Sequence, residues 1–122
     1  MSNKDDIKHT LSVKHEADWA DWLGTERNRG SGNQWAHQTD GRTNRYEVPF
    51  AFAFDCKAAM PGTKSITVTL PMIAKLRQQA HGERPILPMR FYETERGGYT
   101  EDWVLVRKGD FCEMEAICNG RD

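Results

Sequence analysis

The sequence lacks the features that would place it in a membrane or in a disulfide-stabilised class. No apolar run approaches the roughly 20 residues that a membrane-spanning helix needs. The first residues, Met-Ser-Asn-Lys-Asp-Asp-Ile, contain no apolar signal-peptide core. The cysteines Cys56, Cys112 and Cys118 are odd in number and form no Cys-x-x-Cys pair. We therefore predict a reduced, cytoplasmic setting and no membrane partner.

Two common kinds of chemical site are also missing. The histidines show no metal-ligand spacing with one another or with the cysteines, which argues against a zinc site. No glycine-rich loop is followed by Lys-Ser or Lys-Thr, so nucleoside triphosphate hydrolysis has no support. The net charge of −1 does not by itself indicate a nucleic-acid-binding protein. The segment 25–64 is nevertheless locally basic, which permits a basic rim around an acidic centre.

The length of 122 residues fits a single domain, 1–122, with residues 1–10 polar and predicted to be flexible. Helical patterns begin at Ser12, a candidate N-cap, and at Pro71, while Asp110 is predicted to cap a short third helix. Apolar strand-like segments occur at 46–58, 85–92 and 103–106. This order predicts an α/β or α+β domain in which helices flank a central mixed sheet.

The segment 50–57 alternates between two kinds of side chain. Phe50, Phe52, Phe54 and Cys56 share one face of the predicted strand. The opposite face carries Ala51, Ala53, Asp55 and Lys57. Because side chains alternate at period two, Asp55 and Lys57 must leave the strand side by side. The pair is either a surface ion pair at a strand end or part of a reactive site.

Three further residues permit two interpretations each. Glu16 falls on the apolar stripe of the first helix, where a carboxylate needs a partner, unless it reaches water at the edge of the stripe. His15 lies off that stripe. Asp40-Gly41 is a strong turn signal, so Asp40 is either a turn residue or a metal ligand. Ser31, between two glycines, belongs to a flexible connection or to a loop that binds an anion.

Oxygen atoms of Asp40 and Asp55, with the Cys56 backbone carbonyl as a third ligand, suit Mg²⁺. Lys57 would then stand near a bound phosphate. Two carboxylates this close repel each other unless a cation lies between them, so the arrangement favours a metal.

The ordered set resembles the PD-(D/E)XK nuclease superfamily, and within it the small archaeal-type and phage-encoded Holliday-junction resolvases. The matching positions are an acid on a first helix, a Gly-Ser loop, an Asp, and Asp-x-Lys at the end of an apolar strand (Glu16, Ser31, Asp40, Asp55 and Lys57). Thr39 stands where the name motif has Pro. The resemblance implies a restriction-endonuclease-like core, in which Asp40 and Asp55 bind metal and Lys57 is the catalytic lysine. It also implies that Glu16 completes the site and that Ser31 contacts the DNA backbone.

The expected function is therefore an endonuclease dependent on Mg²⁺ or Mn²⁺ that cuts branched DNA during recombination or repair in a bacterial or phage-infected cell. Two nicks related by a two-fold axis require a homodimer. Candidate DNA contacts are Arg27, Arg29, Ser31, Arg42 and Lys64. The alternative is a non-catalytic DNA- or protein-binding module of the same fold, such as an inhibitor of a host enzyme.

Overall fold

The computed structural model describes residues 4–23, 26–27, 41–42 and 51–120. They form three helices: α1 (Lys4–Leu23), α2 (Leu70–Gln79) and α3 (Lys108–Cys118). The strands are β1 (Glu26–Arg27), β2 (Gly41–Arg42), β3 (Phe52–Phe54), β4 (Lys57–Ala59), β5 (Arg84–Tyr92) and β6 (Tyr99–Val106). All six strands belong to one mixed sheet. The predicted α+β architecture, a sheet with helices, is confirmed.

The longest strand, β5, lies at the centre of the sheet. It pairs in parallel with β3 and β4 and antiparallel with β6. On the far side of β3, β2 pairs with β3 and β1 pairs with β2, both antiparallel. The sheet therefore changes from antiparallel to parallel pairing at β3.

The strands β3 and β4 are two parts of one line of chain, interrupted at Asp55 and Cys56. Phe52 pairs with Arg84, and Lys57 pairs with Met89. β4 therefore continues the register of β3 on β5 without a shift. Arg84 donates its backbone N–H to the Ala51 carbonyl at 2.8 Å. Alternate residues of a strand direct their N–H to the same side, so Pro88 faces the interruption. Because proline has no N–H to donate, the ladder breaks there.

The two faces of the sheet are covered by different helices. Phe54 is fully buried and forms the core with Trp19 and Ala20 of α1 and with Ile86. Phe52 and Cys56 pack against this cluster, which confirms the predicted alternation along the strand. On the other face, residues of α2 such as Leu76 lie beside Leu87 and Leu105. The domain therefore has a helix on each side of the sheet.

The first helix differs from its prediction. It begins at Lys4 rather than at Ser12, so Ser12 lies inside the helix and does not cap it. Asp5 and Asp6 lie in its first turn, where the helix dipole favours negative charge. Leu11 is buried, and its carbonyl accepts a hydrogen bond from the Tyr92 hydroxyl at 2.7 Å. This long-range contact, which the local pattern cannot show, holds the early turns against the sheet.

The other two helices begin in different ways. The Thr69 hydroxyl accepts a hydrogen bond from the Met72 N–H at 3.4 Å, as expected of an N-cap. The predicted cap at Asp110 is wrong, because α3 begins earlier and its N-cap residue is Arg107. The Asp110 carboxylate lies in the first turn instead, buried, and accepts hydrogen bonds from Arg84 and Arg107.

Candidate functional site

The structure describes part of the predicted site. Asp55, Cys56 and Lys57 are half-buried at the interruption between β3 and β4, and Lys64 is exposed on the segment that follows. Asp40, Arg29 and Ser31 lie outside the described residues. The backbones of Arg27 and Arg42 belong to β1 and β2, but their side chains are not described.

The register between β2 and β3 bears on the predicted pairing of acids. Gly41 is the partner of Phe54 and Arg42 is the partner of Ala53 in an antiparallel ladder. In the sequence, Asp40 immediately precedes Gly41 and Asp55 immediately follows Phe54. The two predicted ligands are therefore the chain neighbours of one observed strand pair, at the same end of the ladder.

Asp55 and Lys57 share a face of the sheet. Ala53, two residues before Asp55, is fully buried on the face opposite Phe54. At the rise of about 3.3 Å per residue in a strand, the Asp55 and Lys57 backbones are roughly 6.6 Å apart. At this spacing the carboxylate can bind a cation while the ammonium group contacts a phosphate that is bound to the same cation.

Glu16 lies on the other side of the sheet from Asp55 and Lys57. Its helix, α1, packs on the Phe54 face, and Glu16 lies one turn before the buried Ala20. Alternation directs Asp55 and Lys57 to the opposite face. Glu16 is half-buried, and the structure does not bring it onto the face of these two residues. Its role at a metal site stays a prediction.

The sequence analysis missed a buried cluster of charges around Arg90. The side chain of Arg90 is fully buried on the α1 face of the sheet. It donates to the Asp102 carboxylate through Nε at 2.6 Å and through a terminal nitrogen at 2.8 Å. It also donates to Asp18 of α1 at 2.8 Å and to the Tyr92 hydroxyl at 3.2 Å. The Tyr99 ring lies 3.7 Å from the centre of the guanidinium. The cluster thus ties α1, β5 and β6 together.

Hydrogen bonds within this cluster favour the ionised forms of Arg90 and Asp18. Burial opposes the charge on Arg90, but hydrogen bonds to Asp102 and Asp18 outweigh it and raise the Arg90 pKa above its usual value. Burial likewise opposes ionisation of Asp18, but hydrogen bonds from Arg90 and Lys14 hold the Asp18 pKa below its usual range. Arg90 and Asp18 therefore stay ionised at neutral pH, and we assign the cluster a structural role.

His15 is part of the same region and corrects the sequence analysis again. It was predicted to lie off the apolar stripe of its helix, but its side chain is fully buried. Burial, with the positive charge of Arg90, lowers the His15 pKa to about 4. Neither ring nitrogen has a hydrogen-bond partner among the described residues. His15 is therefore neutral in the folded protein at pH 7.

One signal in the sequence points to this cluster. Arg90 is the single charged residue between Pro85 and Tyr92, inside a strand that is otherwise apolar. A charged residue in a central strand must be paired, since an unpaired charge is too costly to bury. The sequence does not identify its partners, because Asp18 is 72 positions away in the chain.

The oxygen atoms predicted to form the metal site are of a kind that suits a hard cation. Among the described residues, no group of three or more His, Cys, Asp or Glu side chains could hold a metal ion. Asp40, which the prediction needs as a ligand, is not among them. The oxygen atoms of two aspartates and one backbone carbonyl are of the kind that Mg²⁺ binds, usually together with several waters.

No protein-family model, curated protein or solved structure matches this chain. Within the part of the chain that the structure describes, no helix is both long enough and apolar enough to cross a bilayer. The function must therefore be argued from the residues and their arrangement.

Proposed function

We propose that this protein is a metal-dependent endonuclease of the PD-(D/E)XK type that cuts branched DNA, acting as a Holliday-junction resolvase. The observation that carries the proposal is the register of β2 on β3, with Gly41 opposite Phe54. Continued by one residue, this register would set Asp40 opposite Asp55. Residues directly opposite each other in an antiparallel pair have Cβ atoms about 5 Å apart on the same face. Two carboxylates at that distance can share one divalent ion.

Lys57 completes the proposed site. Alternation puts it on the face of Asp55, and the residue is half-buried. There it would donate hydrogen bonds to a non-bridging oxygen of the scissile phosphate or to the attacking water. Positive charge near the phosphate stabilises the negative charge that develops during hydrolysis.

In this proposal Asp40, Asp55 and the Cys56 carbonyl would hold Mg²⁺ or Mn²⁺. The bound ion would supply further positive charge at the phosphate. The interruption of the ladder opposite Pro88 supports this assignment, because it occurs at Asp55 and Cys56 while the strand pairs regularly on both sides.

DNA would approach across the Asp55 and Lys57 face. Lys64 is exposed on the segment after β4 and is a candidate contact to the backbone. Arg27, Arg29, Ser31 and Arg42 remain candidates from the sequence. If these residues neutralise phosphates, DNA affinity falls steeply as salt rises. Cutting a four-way junction symmetrically requires two sites, and hence a homodimer.

The test is cleavage of a synthetic four-way junction, compared with linear duplex and single-stranded DNA, in Mg²⁺, in Mn²⁺ and with a chelator. We expect cleavage of the junction only when metal is present. Asp40→Asn, Asp55→Asn and Lys57→Ala should each lower the rate about 100-fold or more, because each removes a group that acts on the reacting phosphate.

Matched controls are Asp21→Asn and Lys75→Ala, which change the same residue types at exposed positions on α1 and α2. Both should cleave at the wild-type rate. Wild-type activity in Asp55→Asn and Lys57→Ala would contradict the assignment of catalysis to this strand. Junction binding with metal but without cleavage would instead indicate the non-catalytic module.

A further inference from the structure

The outer edge of β6 has no partner strand within the described part of the chain. Among the described strands, β6 pairs only with β5. Since Arg84 directs its N–H toward Ala51, the alternate residues Leu87 and Met89 direct theirs toward β6. Their partners are Leu105 and Trp103. The intervening residues of β6, including Val104, therefore direct their N–H and C=O groups outward.

This edge is also unusually apolar for an exposed strand. Trp103 is 58% exposed, Val104 is 39% exposed and Leu105 is 37% exposed. A long exposed edge with apolar side chains is a template for pairing with another strand. Edge strands that stay unpaired commonly carry inward-pointing charges, prolines or bulges. In β6 such features are confined to the first part of the strand, where Asp102 bonds inward to Arg90 and the pairing with β5 is irregular near Tyr92, and 103–106 has none of them.

We propose that β6 pairs with β6 of a second copy of this chain, antiparallel about a two-fold axis at Val104, so that one continuous sheet runs through a homodimer. The backbone N–H and C=O groups that point outward from one β6 must meet those that point outward from the other. Pairing Val104 with the partner's Val104 meets this condition. In this register Glu101 lies opposite the partner's Arg107. The axis generates the same ion pair twice, as an isologous interface requires.

Charge selects this register over its neighbour. Centring the pair on Trp103 instead would set Glu101 opposite the partner's Leu105 and leave both charges unmatched. Glu101 is exposed, and Arg107 is half-exposed while its guanidinium donates to Asp110 at 3.0 Å. A guanidinium has five N–H donors, so Arg107 retains donors for the partner's Glu101.

The α2 face provides a place for the exposed tryptophan. A cavity of about 140 Å³ lies between α2 and the sheet, with Ile73, Leu76, Leu87 and Leu105 among its lining residues. In the proposed register the partner's Trp103 stands directly across from Leu105, on the same face. Its indole would cover this apolar cavity and lose its own exposure to water. Each copy would supply its own Trp103 and receive the partner's Trp103.

The experiment uses charge reversal in two variants, Glu101→Arg and Arg107→Glu, with the mass in solution measured by light scattering or sedimentation equilibrium. Alone, each variant brings like charges together at both pairs, so its dimer dissociation constant should rise about 10-fold or more. Mixed in equal amounts, the two variants restore both opposite-charge pairs, and heterodimers should form with near wild-type affinity. Glu95→Arg and Lys8→Glu are matched controls away from the strand and should leave the dimer unchanged.

A second measurement does not depend on charge. Opposite residues of a hydrogen-bonded antiparallel pair have Cα atoms about 5.5 Å apart, within the range of a disulfide. Val104→Cys, in a chain whose exposed Cys112 and Cys118 are changed to Ser, should therefore cross-link to a dimer on mild oxidation, whereas Thr67→Cys should not.

A monomeric wild type, or a dimer that both reversals leave intact, overturns the proposal. Failure of Val104→Cys to cross-link overturns it as well. Circular dichroism of each variant separates a lost dimer from a lost fold, since Arg107→Glu also loses its contact with Asp110. Because DNA and metal are absent from these measurements, their outcome is independent of the proposed nuclease activity.

Discussion

The two faces of the sheet use charged residues in different ways. On the α1 face, Arg90 is buried and bonded to two carboxylates and a tyrosine hydroxyl, and its hydrogen bonds are short. On the opposite face, Asp55 and Lys57 are half-buried at a break in the ladder. A buried, mutually neutralised cluster fixes a fold, whereas partly exposed groups lie where a ligand can approach them. We therefore expect substitutions on the first face to change stability and those on the second to change activity.

The largest expected effect is at Arg90. Arg90→Met leaves the Asp18 and Asp102 carboxylates without their buried partner, so we expect a loss of about 3 kcal/mol in the free energy of unfolding. Urea denaturation measures it. Adding Asp18→Asn and Asp102→Asn to Arg90→Met should recover part of the loss, because the unmatched charges are then removed. A stability change below about 1 kcal/mol for Arg90→Met would show that the cluster does not hold α1.

The next effect is the pH dependence from His15. Its pKa is about 4 in the folded protein and 6.5 as the reference value, so between these values the unfolded state binds the extra proton. The contribution of neutral His15 to the free energy of unfolding is fully present above pH 6.5 and is lost as pH falls toward 4. From pH 7 to pH 5 the loss should be about 2 kcal/mol. His15→Phe should show a correspondingly smaller loss over the same interval, as urea denaturation at both pH values would measure. Equal losses in the two proteins would contradict this assignment.

A smaller effect is expected at the turn between β5 and β6. Gly97 has φ of 100°, a conformation that side-chain-bearing residues rarely adopt, and a Cβ there would stand 3.1 Å from Cε of Lys14. Gly97→Ala should therefore cost about 1–2 kcal/mol. Gly109→Ala is the matched control, since it lies in α3 with nothing near the added Cβ and should stabilise by up to about 1 kcal/mol. Equal thermal midpoints for the two variants would contradict the predicted strain.

The smallest effect on stability is expected on the proposed catalytic face. Lys57→Ala should change the free energy of unfolding by no more than about 0.5 kcal/mol, as is usual for a side chain that is not buried in a network. Thermal or urea denaturation beside the cleavage assay would measure both quantities. A loss of several kcal/mol would make Lys57 a structural residue and remove the contrast between the two faces.

Local patterns predicted those features that depend on neighbouring residues. Alternation places Phe52, Phe54 and Cys56 on the core face, as observed. The helix predicted to open at Pro71 begins one residue earlier, at Leu70, with Thr69 as its N-cap. The strand at 85–92 forms although it contains Pro88, because the side of Pro88 that lacks an N–H faces the interruption between β3 and β4.

Long-range contacts account for what the sequence did not predict. The periodicity of α1 places His15 off the apolar stripe, but the residue is buried, and the charges that act on its ring include those of Arg90 in β5 and Asp102 in β6. The start of α1 depends on Tyr92, far along the chain. Of the proposed site, alternation along the strand is confirmed, whereas convergence of Asp40 with Asp55 stays a prediction, because it depends on how two distant segments meet.

The attachment of α1 to β5 has a consequence for synthesis on the ribosome. The helix emerges before β5, yet Asp18 binds Arg90 across 72 positions and Leu11 binds Tyr92 across 81. Until those residues emerge, the apolar stripe of α1 has no surface to cover. Nascent chains of this protein must therefore expose Trp19 and Leu11 until most of the domain has been translated, a period in which association with chaperones is favoured.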